Sequence, residues 1–497
     1  MAQQQQPRRQ PERRQQGSRA QQGNRPQAQR SPQQRKARPQ AQGQPQRKRT
    51  APAHAAHART PQPKKSPIPI VVIAALALVF VGLLVFFVLK SCNNGASSSG
   101  TEASTTEQAA TPEETTEAQT ASAKKDDGSV DVNLLMVGDI LFHYQVRMSG
   151  LADDGSRNYD HIYAHVLEEL KDKDIKVLNQ ETPLGGAQYG GTAPDGFSGY
   201  PEFNGPQEMA DAEVKAGFNV VLKATNHAMD NASSQDDPYA LVRSEQNYWK
   251  KNFPGVAVIG EANPDDSSTS VDDVYIYEKD GFKIALLNYT QDLNGNEGFD
   301  SQGMVSMLKE EHVEETMAKA REEADMIVVF PHWGEEYSLE PVDMQYEWAK
   351  TFANLGADVI IGNHPHVIEP VTMVKSDEGK EVPCFWSTGN FTSTSPSNES
   401  LVGGIAEVTL HKDKDGACSV TSAQFKPIIS HLGLSKDMTT YLITDWTDDL
   451  AASNWLNTDI NPDTDNTSLT PAWANEFCSD VLGSGYDKKT GTFTLEM

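Results

Sequence analysis

The sequence predicts an α/β sandwich set behind a membrane-spanning helix, and three observations carry that prediction. Composition changes abruptly along the 497 residues. A run of twenty uncharged, almost wholly apolar residues, 70–89, separates a basic region from an acidic one. From residue 130 onward, short runs of Val, Ile and Leu alternate with amphipathic segments, the pattern of buried strands joined by helices.

Residues 1–66 are dominated by Gln, Pro and Arg, with 16 Lys+Arg against the single acid Glu12. Such a segment has too few apolar side chains to offset the entropy of ordering, so it reads as a disordered basic region. The following run, IVVIAALALVFVGLLVFFVL, is long enough to cross a bilayer as a helix, placed at 68–90. It exceeds a signal-peptide core and sits behind a long polar leader, which predicts an uncleaved anchor. Its basic flank is N-terminal, so the positive-inside bias puts residues 1–66 in the cytoplasm and the large acidic part outside the cell. Residues 91–129, rich in Ser, Thr and Glu without apolar periodicity, read as a disordered, flexible spacer. An Arg-rich arm also suits a phosphate backbone, but no aromatic residues interleave it and no folded reader adjoins it. Topogenesis or contact with anionic lipid headgroups is the better reading, and no nucleic-acid partner is expected.

The folded part is read as a domain at 130–412 with strands and a polar extension at 413–497. Six apolar runs are strand candidates: VNLLMVGD (132–139), IKVLNQE (175–181), FNVVLKATNH (218–227), KIALLNYT (283–290), DMIVVFPHWG (325–334) and DVIIGNHPH (358–366). Each is too short for a lone helix and suits a strand buried on both faces. Between them, 310–324 places Val313, Met317 and Ala320 on one helical face, and 343–356 ends at Gly356, a helix stop. GGIAEVTLHK and CSVTSAQFKPII read as alternating antiparallel strands at an edge or in a second sheet. Residues 431–497 show weak periodicity and read as a cap or tail. Of the four cysteines, Cys92 stands at the membrane edge, while Cys384, Cys418 and Cys478 fall outside it. None has CxxC spacing, and pairing among an odd three stays open.

Five of the six runs lead directly into residues that bind metals. They deliver Asp139 with His143 four residues on, Asn179 and Glu181, Asn226 with His227 and Asp230, His332 with Glu335 and Glu336, and Asn363 with His364 and His366. Each has a bland reading when taken singly. Asp139 would serve as a helix cap and Asn179 as a turn residue. His227 would be a core histidine, Glu336 a solvated residue, and His332 a neighbour packed on Trp333. If the strands are mostly parallel, however, all five clusters meet at the carboxyl edge of the sheet, where α/β folds bind ligands. On an extended segment His364 and His366 would point apart, one to each of two ions, or one to an ion and one to a substrate. Imidazole, carboxylate and amide oxygen without thiolate suit Mn, Fe, Zn or Co. Two ions bridged by a carboxylate would lower the pKa of a shared water, and His227 would protonate a leaving group.

GDILFH, NQETPL, TNHAMD, HWGEEYSLEPVDMQ, GNHPHVIEP and STGNF stand in this order across 132–410. Together they resemble the poly-γ-glutamate capsule-synthesis family of the CapA type, which is similar in fold to the calcineurin-like metallophosphoesterases. The resemblance implies a calcineurin-like αββα sandwich with a metal-dependent, hydrolase-like site acting on a phosphoester or on a γ-glutamyl amide. It implies metal roles for Asp139, Glu181, Asn226, His332, His364 and His366, holding one or two divalent ions of the Mn, Fe or Zn kind. It puts His227 where the phosphoesterases carry their leaving-group acid, with Asn179 and Glu336 supporting the site and Asn390 on the loop after the next strand. As partners it implies an anionic capsule polymer or cell-wall substrate, with polymer ligase or export subunits. Two departures bear on the ion count: Leu141 stands where the phosphoesterases carry a histidine, and Asn179-Gln180-Glu181 replaces their second aspartate motif. Three readings therefore stay open: an enzyme, a non-catalytic export factor, and a surface phosphoesterase unrelated to capsule. Residues 130–497 hold 24 basic and 61 acidic residues, a field that repels a polyglutamate strand unless cations intervene.

Overall fold

The computed structural model describes residues 127–189, 195–433, 438–457 and 468–497, all within one of the chain's two units, Thr115–Met497. The basic region 1–66, the apolar run 70–89 and all but the end of the spacer lie outside the described residues. Among the described residues no helix is long and apolar enough to cross a membrane.

The chain builds half of one sheet, then a second sheet, and returns to complete the first. β1 (Val130–Ile140), β2 (Ile175–Asn179), β3 (Val220–Leu222) and β4 (Ala257–Ile259) are parallel neighbours in that order. The second sheet contains β5 (Tyr275–Lys279), β6 (Phe282–Thr290), β7 (Met326–His332), β8 (Val359–Ile361), β9 (Val371–Lys375) and β10 (Glu381–Phe385). Its order is β5-β6-β7-β8-β10-β9, with β6, β7, β8 and β10 parallel. The chain then returns through β11 (Asn390–Thr392), β12 (Val402–Lys412), β13 (Cys418–Leu432), β14 (Met438–Leu442), β15 (Tyr486–Asp487) and β16 (Thr492–Thr494). The first sheet thus runs β15-β16-β13-β12-β1-β2-β3-β4, with β11 on β1 and β14 on β13.

The alternation of side chains explains why two sheets form. Ile284 and Leu286 of β6, Val328 and Phe330 of β7, and Val359 and Ile361 of β8 share one buried core with β1, β2 and β3. The intervening Ala285, Leu287, Ile327, Val329 and Ile360 pack instead with Val313, Met317, Ala349 and Phe352 of the helices Glu310–Glu323 and Asp343–Leu355. Runs that are apolar at every position are therefore buried on both faces, by the other sheet and by a helix. The second helix stops at Gly356, whose φ of 99° is the left-handed cap that glycine adopts without strain.

All six predicted runs contain strands, three in each sheet. The segments expected at an edge or in a second sheet become β12 and β13, and β12 lies against β1 inside the first sheet. The division at residue 412 falls in the hairpin between them. Beyond it, Trp446, Ala474, Phe477 and Cys478 enter the same core, so part of the polar extension is structural. Cys384, Cys418 and Cys478 are free thiols, the first and last buried.

Candidate metal centre

The carboxyl ends of β1, β2 and β3 meet those of β7 and β8. β1 delivers Asp139 opposite Asn179 of β2, and Glu181 follows two residues later. The loop after β3 brings Asn226 and His227, β7 ends on His332, and the loop after β8 carries Asn363, His364 and His366. β11 opens with Asn390, in register with Asp139. That close crossing needs glycine: a Cβ on Gly138 would stand 1.8 Å from the Gly389 carbonyl oxygen.

Two trios result. Asp139, Glu181 and His366 place ligand atoms within 4.8 Å of one another, as do Glu181, His332 and His364, so Glu181 belongs to both. His366 Nδ1 is 3.1 Å from Asp139 Oδ2 and its Nε2 is 3.6 Å from Glu181 Oε1. His332 Nε2 lies 3.8 Å from Glu181 Oε1, 3.1 Å from His364 Nδ1 and 2.9 Å from Asn226 Oδ1. Asparagines orient the carboxylate: Asn179 and Asn363 each donate to Asp139 Oδ1, at 2.7 and 2.8 Å. Asn390 Nδ2 donates to the His366 carbonyl at 3.1 Å. His227 Nδ1 is 2.6 Å from Asp230 Oδ2, and its Nε2 is 3.8 Å from Glu181 Oε1.

The electrostatics favour a cation. Burial, aided by the neighbouring imidazoles, holds His332 well below its ordinary range and His364 down to about 3, so both keep the neutral form that ligates metals. Burial pushes the Glu181 carboxyl up to about 8, with Asp139 and Glu336 adding to the rise while His366 and His227 oppose it. For His366, burial works against the charge, but Glu181 and Asp139 outweigh it and carry the ring up to about 10. Both Glu181 oxygens and Asn179 Oδ1 are buried with no hydrogen-bond partner among the described residues. Burial thus opposes the charge of Glu181, and a bound divalent ion would offset the cost of ionising it there. Nitrogen and oxygen donors without sulfur suit such an ion.

The fold brings Asp139, Glu181, Asn226, His332, His364 and His366 to one edge of the sandwich. Asn179 touches Asp139 and His332, His227 borders Glu181, and Asn390 contacts His366. Glu336 is exposed at the rim of a neighbouring cleft. The extended-segment argument for the histidine couple does not hold. β8 ends at Ile361, and His364 and His366 have φ of 102° and 60°, so a left-handed turn divides them between the trios. Phe203 and the Ser393–Ser395 loop, which line the cleft, escape the sequence reading because none of the six apolar runs leads into them, and Tyr337, three residues past one run, escapes it because it is neither a metal donor nor a carboxylate. Asn288 escapes it too. Its Oδ1 accepts from the Lys223 and Ala224 amides at 3.1 and 2.7 Å, and its Nδ2 donates to the Phe330 carbonyl at 2.8 Å. It thereby ties the Asn226 loop to β7.

Residues 133–395 match the sequence profile described as "Bacterial capsule synthesis protein PGA_cap". The chain is 28% identical over 209 residues to the PGA biosynthesis protein CapA of Bacillus subtilis (strain 168), covering 41% of this chain and 50% of that protein. It is 26% identical over 279 residues to the capsule biosynthesis protein CapA of Bacillus anthracis, covering 52% and 59%. The chain thus spans between half and three-fifths of the length of these relatives. Among solved structures, the NAD nucleotidase of Haemophilus influenzae aligns at a TM-score of 0.36 and 14% identity, over 59% of this chain and 50% of that one. GAP50, the anchor in the inner membrane complex of Plasmodium, aligns at 0.29 and 10%, over 60% and 84%. Likenesses that distant bear no weight here. The profile match runs from β1 past β11 and takes in every residue of both trios, and the chain belongs to the bacterial capsule synthesis protein PGA_cap family.

Proposed function

We propose that this chain is a membrane-anchored protein of capsule-polymer synthesis, export or attachment, acting outside the cell through a metal-dependent hydrolase-like site of the calcineurin-like kind. The apolar run 70–89 with its basic N-terminal flank supports the anchor and its orientation. The relatives' names supply the polymer: one is a PGA biosynthesis protein, the other a capsule biosynthesis protein. One observation carries the metal reading: a single carboxylate, Glu181, is shared by two trios while both its oxygens are buried without a hydrogen bond among the described residues.

When bound, one or two divalent ions of the Mn, Fe or Zn kind would supply Lewis-acid chemistry and a water of lowered pKa. The protein's own groups do the rest. Asn179 and Asn363 aim Asp139, Asp230 aims His227, and His227 Nε2 faces Glu181 and the cleft, placed to hand a proton to a leaving group. A non-catalytic export role is the second reading, and under either one the acid excess of residues 130–497 opposes a polyanionic strand unless cations intervene.

The deciding measurement is the metal content of the purified full-length chain beside a His364→Ala, His366→Ala double variant. Stoichiometric metal, lost together with hydrolysis in the variant, supports the enzyme. Metal-free protein that still restores polymer export supports the accessory role and sinks the catalytic one.

A further inference from the structure

One charged residue interrupts the apolar run FNVVLKATNH, and it does not reach water. Lys223 directly follows β3 and is the one lysine buried among the described residues. Its ammonium pairs at 3.1 Å with Glu245, which is buried as well. Its charge also reaches Glu213 and Glu261, whose carboxyls burial pushes up. Apolar residues of like size in place of a buried ion pair often fold as well or better, so stability alone does not explain this one.

The ammonium's other contact supplies a reason. Lys223 Nζ donates to the Gln180 carbonyl oxygen at 3.0 Å. That oxygen belongs to the peptide group joining Gln180 to Glu181, the carboxylate shared by both trios. The ladder between β2 and β3 is interrupted at this point. Gln180 N–H donates to the Leu222 carbonyl at 3.1 Å, as a parallel ladder requires. The next rung would run from Ala224 N–H to the Gln180 carbonyl, but Ala224 N–H donates to Asn288 Oδ1 at 2.7 Å instead. Lys223 Nζ supplies the missing rung. On the β1 side the backbone suffices: Glu181 N–H turns back on the Asn179 carbonyl at 3.0 Å, and Thr182 N–H reaches the Ile140 carbonyl at 3.1 Å.

We propose that Lys223 is a positioning residue for the metal centre: through the Gln180 carbonyl it fixes the peptide that aims the Glu181 carboxylate at both trios. This rests on the metal reading above. The planar peptide group transmits the hold, because fixing its oxygen also fixes the Cα of Glu181. A carboxylate whose backbone can swing grips a cation less tightly, as ligands that lose an outer-shell partner do.

The test uses the purified full-length chain and reads Mn²⁺ affinity by equilibrium dialysis beside urea unfolding of the metal-free protein. Glu245→Gln strands the ammonium but spares its bond to Gln180. It should lower the urea midpoint and leave Mn²⁺ affinity within about twofold of wild type. Lys223→Met combined with Glu245→Gln removes both charges and the bond. Its midpoint should exceed that of Glu245→Gln, while its Mn²⁺ affinity falls roughly ten- to a hundredfold. A structural role would move both readouts together, so affinity that follows the midpoint overturns the proposal. Should Glu245→Gln not fold, the double variant against wild type still decides, and unchanged affinity overturns the proposal. Hydrogen exchange of residues 179–182 in metal-free protein reads the hold directly. It should quicken by about tenfold in the double variant, and unchanged exchange overturns the proposal. Quickened exchange in a chain whose wild type takes up no Mn²⁺, Fe²⁺ or Zn²⁺ would refute the metal reading and leave the Lys223 hold on Glu181 standing.

Discussion

The substitution Glu181→Gln keeps the shape of a side chain that both trios share and removes its charge. Metal affinity should fall by more than the roughly ten- to hundredfold that loss of an outer-shell partner costs, measured by equilibrium dialysis. The pH dependence of the metal-free protein has a definite sign. Glu181 is raised to about 8 from an ordinary 4.5, so its share of stability is complete below 4.5 and is lost as pH rises through 8. His366 is raised to about 10 from 6.5, so its share is lost as pH rises from 6.5 through 10. His143, His332 and His364 are lowered, so their opposing contributions are complete above 6.5. Chelator-treated protein should therefore lose thermal stability between about pH 6.5 and 9, and Glu181→Gln should flatten that decline; a rise over this range would contradict the assignment. The ligand candidates are readable in the sequence because each follows an apolar run by a few residues. His143 shows its place in the cleft wall only once Thr394, 251 positions away, donates an amide to its ring.

Strands and loops hold the centre through a few polar and steric ties. Asn288→Ala would strand the Lys223 and Ala224 amides and the Phe330 carbonyl, and should cost about 3 kcal/mol in urea unfolding. An effect within a few tenths of a kcal/mol would mean that water replaces the side chain there. Gly138→Ala forces a methyl against the Gly389 carbonyl and should cost about 1–3 kcal/mol or more, with reduced metal uptake because Asp139 is the next residue. At this scale the six apolar runs announce their strands, whereas β4, β9 and β11 do not. β11 is polar at both ends, β9 is a half-buried edge strand interrupted by Thr372 and Lys375, and β4 shows only the four-residue run Val256–Ile259. The assignment of strands to two sheets is equally hidden, since a run buried on both faces reads alike whichever sheet covers it.

For the molecule as a whole, the fold of the described residues owes nothing to disulfides. Cys384 and Cys478 are buried, and burial drives both thiols up, so reductant should leave the melting temperature unchanged. In the native state a thiol reagent should modify Cys418 well before either of them; equal rates would show the core opening readily. The apolar run 70–89 and the basic residues 1–66 are signals of composition and are plain in the sequence, while the placing of β12 beside β1 and of β16 beside β13 depends on long-range pairing that no local pattern announces. Asp139, Glu181 and Asn226 project from one sheet, while His332, His364 and His366 project from the other. A cation held by both groups would thus be a rivet between the two sheets. Pulling the rivet should quicken amide hydrogen exchange first where the tips of β3 and β7 face each other, while the far ends of the same strands stay protected.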